Sequence, residues 1–193
     1  VTLLSSVVLA NTIPMESNGH GRSNFQSIAN AVERHVTFSE QFGLDLLTPP
    51  VIEYGPLDFA TIMREDETRL SFSGRHRVAI KRELELHEHD GEWLRVPDAW
   101  LWRIEIACES SLGVNLHFVD VNLPMGAELM VYDVHAPLDA HGPFTGTGDF
   151  GTGEIWAASV GTDRVRIEYL APLSSKQTSV ETLPFVVADL HDV

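Results

Sequence analysis

Polar and apolar residues alternate with a period of two through much of the chain's C-terminal two thirds. In Leu101-Trp102-Arg103-Ile104-Glu105-Ile106-Ala107-Cys108, residues Trp102, Ile104, Ile106 and Cys108 share one face, and Arg103 and Glu105 point the other way. That pattern predicts a strand with one side in a core and the other in solvent. Val114, Leu116 and Phe118 repeat it with Asn115 and His117 outside. Val165, Ile167 and Tyr169 repeat it again with Arg164, Arg166 and Glu168 outside. Further strands are expected near 92–96, 128–134 and 154–160, with a terminal candidate at 184–190, and Leu129 and Val131 join the expected core. Strands at this spacing, with no helices between them, predict an antiparallel β-sandwich, jelly-roll-like, over residues 70–172.

Residues 11–69 read as a helical and extended N-terminal region. Ser23-Asn24-Phe25-Gln26 has the form of a capping box, and Phe25, Ile28, Ala29 and Val32 follow at helical spacing, which predicts a short helix over 24–34. Pro49-Pro50 forces extended backbone. Pro56 suits the first turn of a second helix, in which Phe59, Ile62 and Met63 share a face and Glu65 to Glu67 end in solvent. Val78 and Ile80 alternate with Arg77, Lys81 and Arg82 as a strand. His89-Asp90-Gly91-Glu92 then signals a hairpin, since Asp-Gly supplies the positive φ of a type I′ turn. Residues 173–193 read as a polar linker, Ser174 to Ser179, and a terminal strand detached from the sandwich and leading toward a downstream domain.

Hydrophobic residues make up 44% of the 193 and charged residues 21%, as expected of a globular core. Against 13 basic residues stand 28 acidic ones, for a net charge of -15. Such a field repels phosphate backbones and anionic lipid, so neither nucleic acid nor a membrane is an expected partner. Residues 1–10 form an apolar run too short to span a bilayer. They read either as a secretory signal remnant, with small residues in Val8-Leu9-Ala10, or as an N-terminal strand. Cys108 is the only cysteine, which excludes an internal disulfide, and its place on an apolar face predicts a buried, inert thiol.

No constellation in the chain reads as catalytic. Gly146-Thr147-Gly148-Asp149-Phe150-Gly151 matches the dinucleotide fingerprint literally, but the following Glu154-Ile155-Trp156-Ala157 reads as strand where that mechanism needs a helix. His87, His89 and Asp90 form one loose group of metal-ligating types and His135, Asp139 and His141 another, both without structural-zinc spacing. Calcium at a loop acid such as Asp133 or Asp149 is the better metal candidate, and no cofactor is expected. Ser110-Ser111 reads as a turn, with no Gly-Asp-Ser-Gly or Gly-x-Ser-x-Gly around it. Among Trp93, Trp100, Trp102 and Trp156, the first, second and fourth are candidates for a sugar-stacking platform, while Trp102 alternates with the core.

An ordered series of short motifs points further. Trp102-Arg103-Ile104-Glu105-Ile106, Leu116-His117-Phe118 and Leu123-Pro124-Met125-Gly126-Ala127 through Asp133 are followed by Gly142-Pro143-Phe144-Thr145, Gly153-Glu154-Ile155-Trp156 and Asp163 through Tyr169. The series resembles the region that precedes the catalytic domain in secreted bacterial trypsin-like serine proteases of the lysyl endopeptidase type. Pro56 through Asp66 and Arg75 through Ile80 fit that region too, so the resemblance covers most of residues 50–191. It implies a secreted or periplasmic, non-catalytic pro-domain or accessory domain that assists folding of the trypsin-like protease domain of its precursor and restrains it. The family's catalytic residues have no counterpart in these 193. The alternative is a carbohydrate- or surface-binding sandwich, with polysaccharide as partner. If the protease prefers lysine, Lys176 in the polar linker is the expected processing site, since the only other lysine, Lys81, lies in a predicted strand.

Overall fold

The computed structural model describes residues 36–73, 77–173 and 182–192. The helix expected over 24–34, residues 1–10 and Lys176 lie outside them. In chain order the elements are helix α1 (Phe38–Gln41), strand β1 (Val51–Tyr54), helix α2 (Phe59–Ser73), β2 (Ile80–Arg82), β3 (Glu92–Val96), β4 (Ala99–Cys108), β5 (Val114–Val119), β6 (Glu128–Asp133), β7 (His141–Phe144), β8 (Ile155–Val160), β9 (Arg164–Pro172) and β10 (Val186–Asp192).

The chain is mainly β, and its strands form two sheets. In the first, β1, β4, β9, β6 and β7 lie side by side, and β3 borders the same edge of β4 as β1, further toward the start of β4. In the second the order is β2, β10, β5, β8. All pairs are antiparallel except β1 with β4. One apolar cluster unites the inner faces of both sheets, joining Trp102, Ile104, Leu129, Val131, Ile167 and Tyr169 to Leu116, Phe118, Ile155, Val187 and Leu190. This is a β-sandwich, and every residue of the expected core is buried, Cys108 included. Sheets of six and four strands with one parallel pair depart from the two four-stranded antiparallel sheets of a jelly roll.

Four expectations are corrected. Asp90-Gly91 joins no hairpin, because β2 pairs with β10 in one sheet and β3 with β4 in the other. Gly91 is demanded by proximity instead: a Cβ there would lie 2.4 Å from the Trp102 ring, whose Nε1–H donates to the Glu88 carbonyl at 2.9 Å. The tight hairpin is the next one, β3 to β4, where Asp98 takes a φ of 58°. The terminal strand is not detached, since β10 lies between β2 and β5 with Leu190 and Val187 in the core. Nor are residues 51–54 separate from the sandwich, because β1 pairs with β4 at an edge of the first sheet. Helix α2 begins after Asp58, not at Pro56. The Asp58 carboxylate accepts the Thr61 N–H at 3.1 Å and hydroxyl at 2.7 Å, and Phe59 and Met63 are exposed.

Candidate functional site

The largest departure from the alternation concerns the face assigned to solvent. Arg103 and Glu168 are 0% exposed, Glu105 1% and Arg166 6%. The register sets them in opposite-charge pairs across β4 and β9, Arg103 facing Glu168 and Glu105 facing Arg166, a favourable cross-strand arrangement. Residues 36–44 cover this face. Phe38 enters a second apolar cluster with Val96, Ala99, Leu101, Met130 and Tyr132, against which Phe42 and Leu44 also pack. The middle of β4 and β9 is therefore covered on both faces, and the charges buried there need partners within the protein.

It does so through a continuous network. Glu105 accepts from Arg166 Nε at 3.0 Å and Nη2, and from Arg164 Nη1 at 3.2 Å. Glu168 accepts from the Tyr132 hydroxyl at 2.6 Å, the Ser39 N–H at 3.1 Å and the Ser39 hydroxyl. Arg103 donates to Glu92, to Ser39 Oγ at 2.9 Å and to the Leu44 carbonyl at 2.9 Å. Three guanidiniums thus meet three carboxylates. Burial, reinforced by the Glu168 carboxylate, holds the Tyr132 phenol protonated far above its ordinary range. Beside the network lies a cavity of about 430 Å³, reached by the buried Thr37, Ser39, Tyr132 and Arg166 and by the exposed Glu40 and Asp45. The Ser39 hydroxyl is engaged between Glu168 and Arg103, and among the described residues no imidazole joins that hydrogen-bond chain.

The outer face of the second sheet carries a different group. His117 stacks on Trp156 across β5 and β8 with ring centroids 3.9 Å apart, its Nδ1 lies 3.4 Å from Asp189 and its Nε2 3.6 Å from Glu154. Lys81 pairs with Asp189 and, with His117, holds that carboxyl below its usual range. Asn115 Oδ1 and His191 Nε2 are buried here without a hydrogen-bond partner among the described residues.

The residues singled out as metal ligands are not gathered. His87 stacks on His89, and the Asp90 carboxylate accepts the His87 N–H at 2.7 Å as a turn cap. His141 sits in β7, while Asp133 accepts the His135 N–H at 2.8 Å. Among the described residues no three His, Cys, Asp or Glu are placed to hold a metal ion. The Gly146–Gly151 loop is followed by β8, not by a helix. Ser110-Ser111 lies in the turn after β4, where Ser110 has a φ of 66°.

Cys108 is fully buried, and its desolvation, with Asp192 nearby, pushes the thiol pKa up to about 11. The native protein is therefore expected to leave Cys108 unmodified by an aromatic disulfide reagent at pH 8 and to release one equivalent of thiol after denaturation. Rapid native labelling would show that the inner face opens.

Comparison of the chain with family models, with curated proteins and with solved structures gave no match.

Proposed function

We propose that this chain is a non-catalytic accessory or pro-domain of a secreted trypsin-like serine protease, assisting the folding of the protease made in the same precursor. The observation that carries the reading is an open edge strand. Among the described residues β8, like the strands at the other sheet borders, is hydrogen-bonded along one side only, to β5. A β-rich protease domain folds slowly because its contacts are non-local, and a preformed edge strand offers it a backbone template. The motif series supports the reading further. Leu123-Pro124-Met125-Gly126-Ala127 is a tight turn closed by Ala127 N–H to the Pro124 carbonyl at 2.9 Å, and it leads into the central run of β6.

The alternative, a carbohydrate-binding module, asks for a flat exposed aromatic platform. Trp102 is buried, Trp93 and Trp100 are partly buried against the core, and Trp156 has a ring face stacked on His117. A single half-covered indole supports that alternative less well.

The test is expression of the trypsin-like catalytic domain alone, with this chain in cis, and with it in trans. Active enzyme should rise several-fold with the chain in either arrangement, and Lys176→Ala in the cis precursor should delay release of the sandwich. Equal yields with and without the chain would refute the folding role, and cleavage unaffected by the substitution would refute processing at Lys176.

A further inference from the structure

The glycine-rich stretch between β7 and β8 folds into a defined loop. Gly148 N–H donates to the Thr145 carbonyl at 3.1 Å, Gly151 N–H to Gly148 at 3.0 Å and Gly153 N–H to Thr147 at 2.9 Å. Two more bonds tie it to the neighbouring segment, Val121 N–H to Gly153 at 2.9 Å and Leu123 N–H to Gly146 at 2.8 Å. Gly148 has a φ of 84°, and a Cβ there would meet the Ile155 side chain at 2.9 Å, so the close approach of loop to strand requires glycine. This loop leaves Phe150 90% exposed while Trp156 stands 52% exposed on the edge strand. Both residues line one cleft of about 240 Å³ together with Phe144, Thr152, Ile155 and the acidic Asp149 and Glu154.

Among the described residues no lysine or arginine lines the cleft, and its charged residues there are the acidic Asp149 and Glu154. His117 is within reach of Glu154, through Oε2 at 3.6 Å. Aromatic faces attract cations through their quadrupole, and an indole is the strongest of them. A guanidinium is planar, weakly hydrated, stacks on aromatic faces and offers a donor fork to carboxylates. Size narrows the choice further. Sites for small-molecule ligands run to roughly 300–1,000 Å³, so this cleft suits one long side chain better than a row of sugar rings.

We infer that the cleft between the Gly146–Gly151 loop and Trp156 is a binding site for a basic side chain, the guanidinium of an arginine presented by another polypeptide. The site stands whether or not the sandwich accompanies a protease. Because it adjoins β8, an extended segment pairing on that open edge would bring its side chains to the cleft.

The test is a titration of the full chain, labelled with nitrogen-15, with N-acetylarginine amide, following the Trp156 indole N–H cross-peak assigned by its loss in Trp156→Phe. That peak should shift saturably, while the Trp102 peak, from a buried ring, stays in place. N-acetylcitrulline amide, the neutral isostere, should leave it unmoved. The exposed double variant Asp149→Asn/Glu154→Gln should weaken arginine binding about tenfold, the combined effect of two surface charge contacts on one ligand. Equal shifts with the citrulline compound, undiminished binding to the double variant, or a response to a neutral hexasaccharide but not to the arginine compound would each overturn the inference.

Discussion

Glu105→Ala should lower the free energy of unfolding by about 3–5 kcal/mol, because it strands buried positive charge. Glu105 is the one carboxylate that receives both Arg164 and Arg166. Without it, Arg166 retains in this network only the Tyr132 hydroxyl, 3.4 Å from its Nη1, and that phenol already donates to Glu168. Arg166 is only 6% exposed, because residues 36–44 cover the sheet around it except at the cavity it lines with Ser39 and Tyr132. The loss is a large share of the roughly 5–15 kcal/mol by which domains are stable. A companion variant separates charge burial from packing. Glu105→Leu combined with Arg166→Met removes both charges at similar volume, and such replacements of buried pairs are often neutral or stabilising. Chemical denaturation should therefore place the double variant well above Glu105→Ala. A single-variant loss below about 1 kcal/mol is what solvated surface pairs give, and it would mean the network is open to water.

That network also marks where the alternation of residues stops being informative. Trp102, Ile104, Phe118 and Tyr169 alternate with polar neighbours, and all four are buried as expected. The pattern reports the apolar face of a strand, but a charged opposite face reads the same whether it meets water or a covering segment. Arg103 and Glu168 are covered because Phe38, Phe42 and Leu44, about 60 residues or more before either charge in sequence, settle on the sheet. The signal that was available is local charge complementarity: Arg103-x-Glu105 on one strand and Arg166-x-Glu168 on another match in opposite senses when the strands run antiparallel. A similar limit explains Gly91, where the glycine answers a Trp102 ring eleven residues on rather than the turn chemistry of its neighbours. It explains β10 too. The polar run Ser174 to Ser179 precedes it in sequence, yet strand order is set by long-range pairing, which local composition does not encode. Of the candidate site, Trp156 and the loop glycines were legible as residues of interest, but their convergence with Asp149 and Glu154 on one cleft follows only from how the loop folds back.

Phe118→Ala should cost about 3–5 kcal/mol, the range for removing a large aromatic from a close-packed core. Phe118 is fully buried at the middle of the second sheet, opposite Val187 on β10 and Ile155 on β8. Its ring meets that of Phe185 edge-on, with centroids 5.6 Å apart at 76°, and Phe185 in turn contacts Trp102 and Tyr169 of the first sheet. The ring is thus a link in the contact that joins the two sheets. Deleting it leaves a void that neighbours held in two hydrogen-bonded ladders cannot easily close. An exposed phenylalanine supplies the comparison. Phe150→Ala should change stability by no more than about 0.5 kcal/mol, because that ring is in solvent on both sides of the folding equilibrium. Denaturant midpoints for the two variants should separate sharply at similar slopes, so that the shift reports stability and not a change in the area exposed on unfolding. Equal, small losses for both would mean that the inner faces are loosely packed, and that β10 and β8 are not held against β5 in the register described.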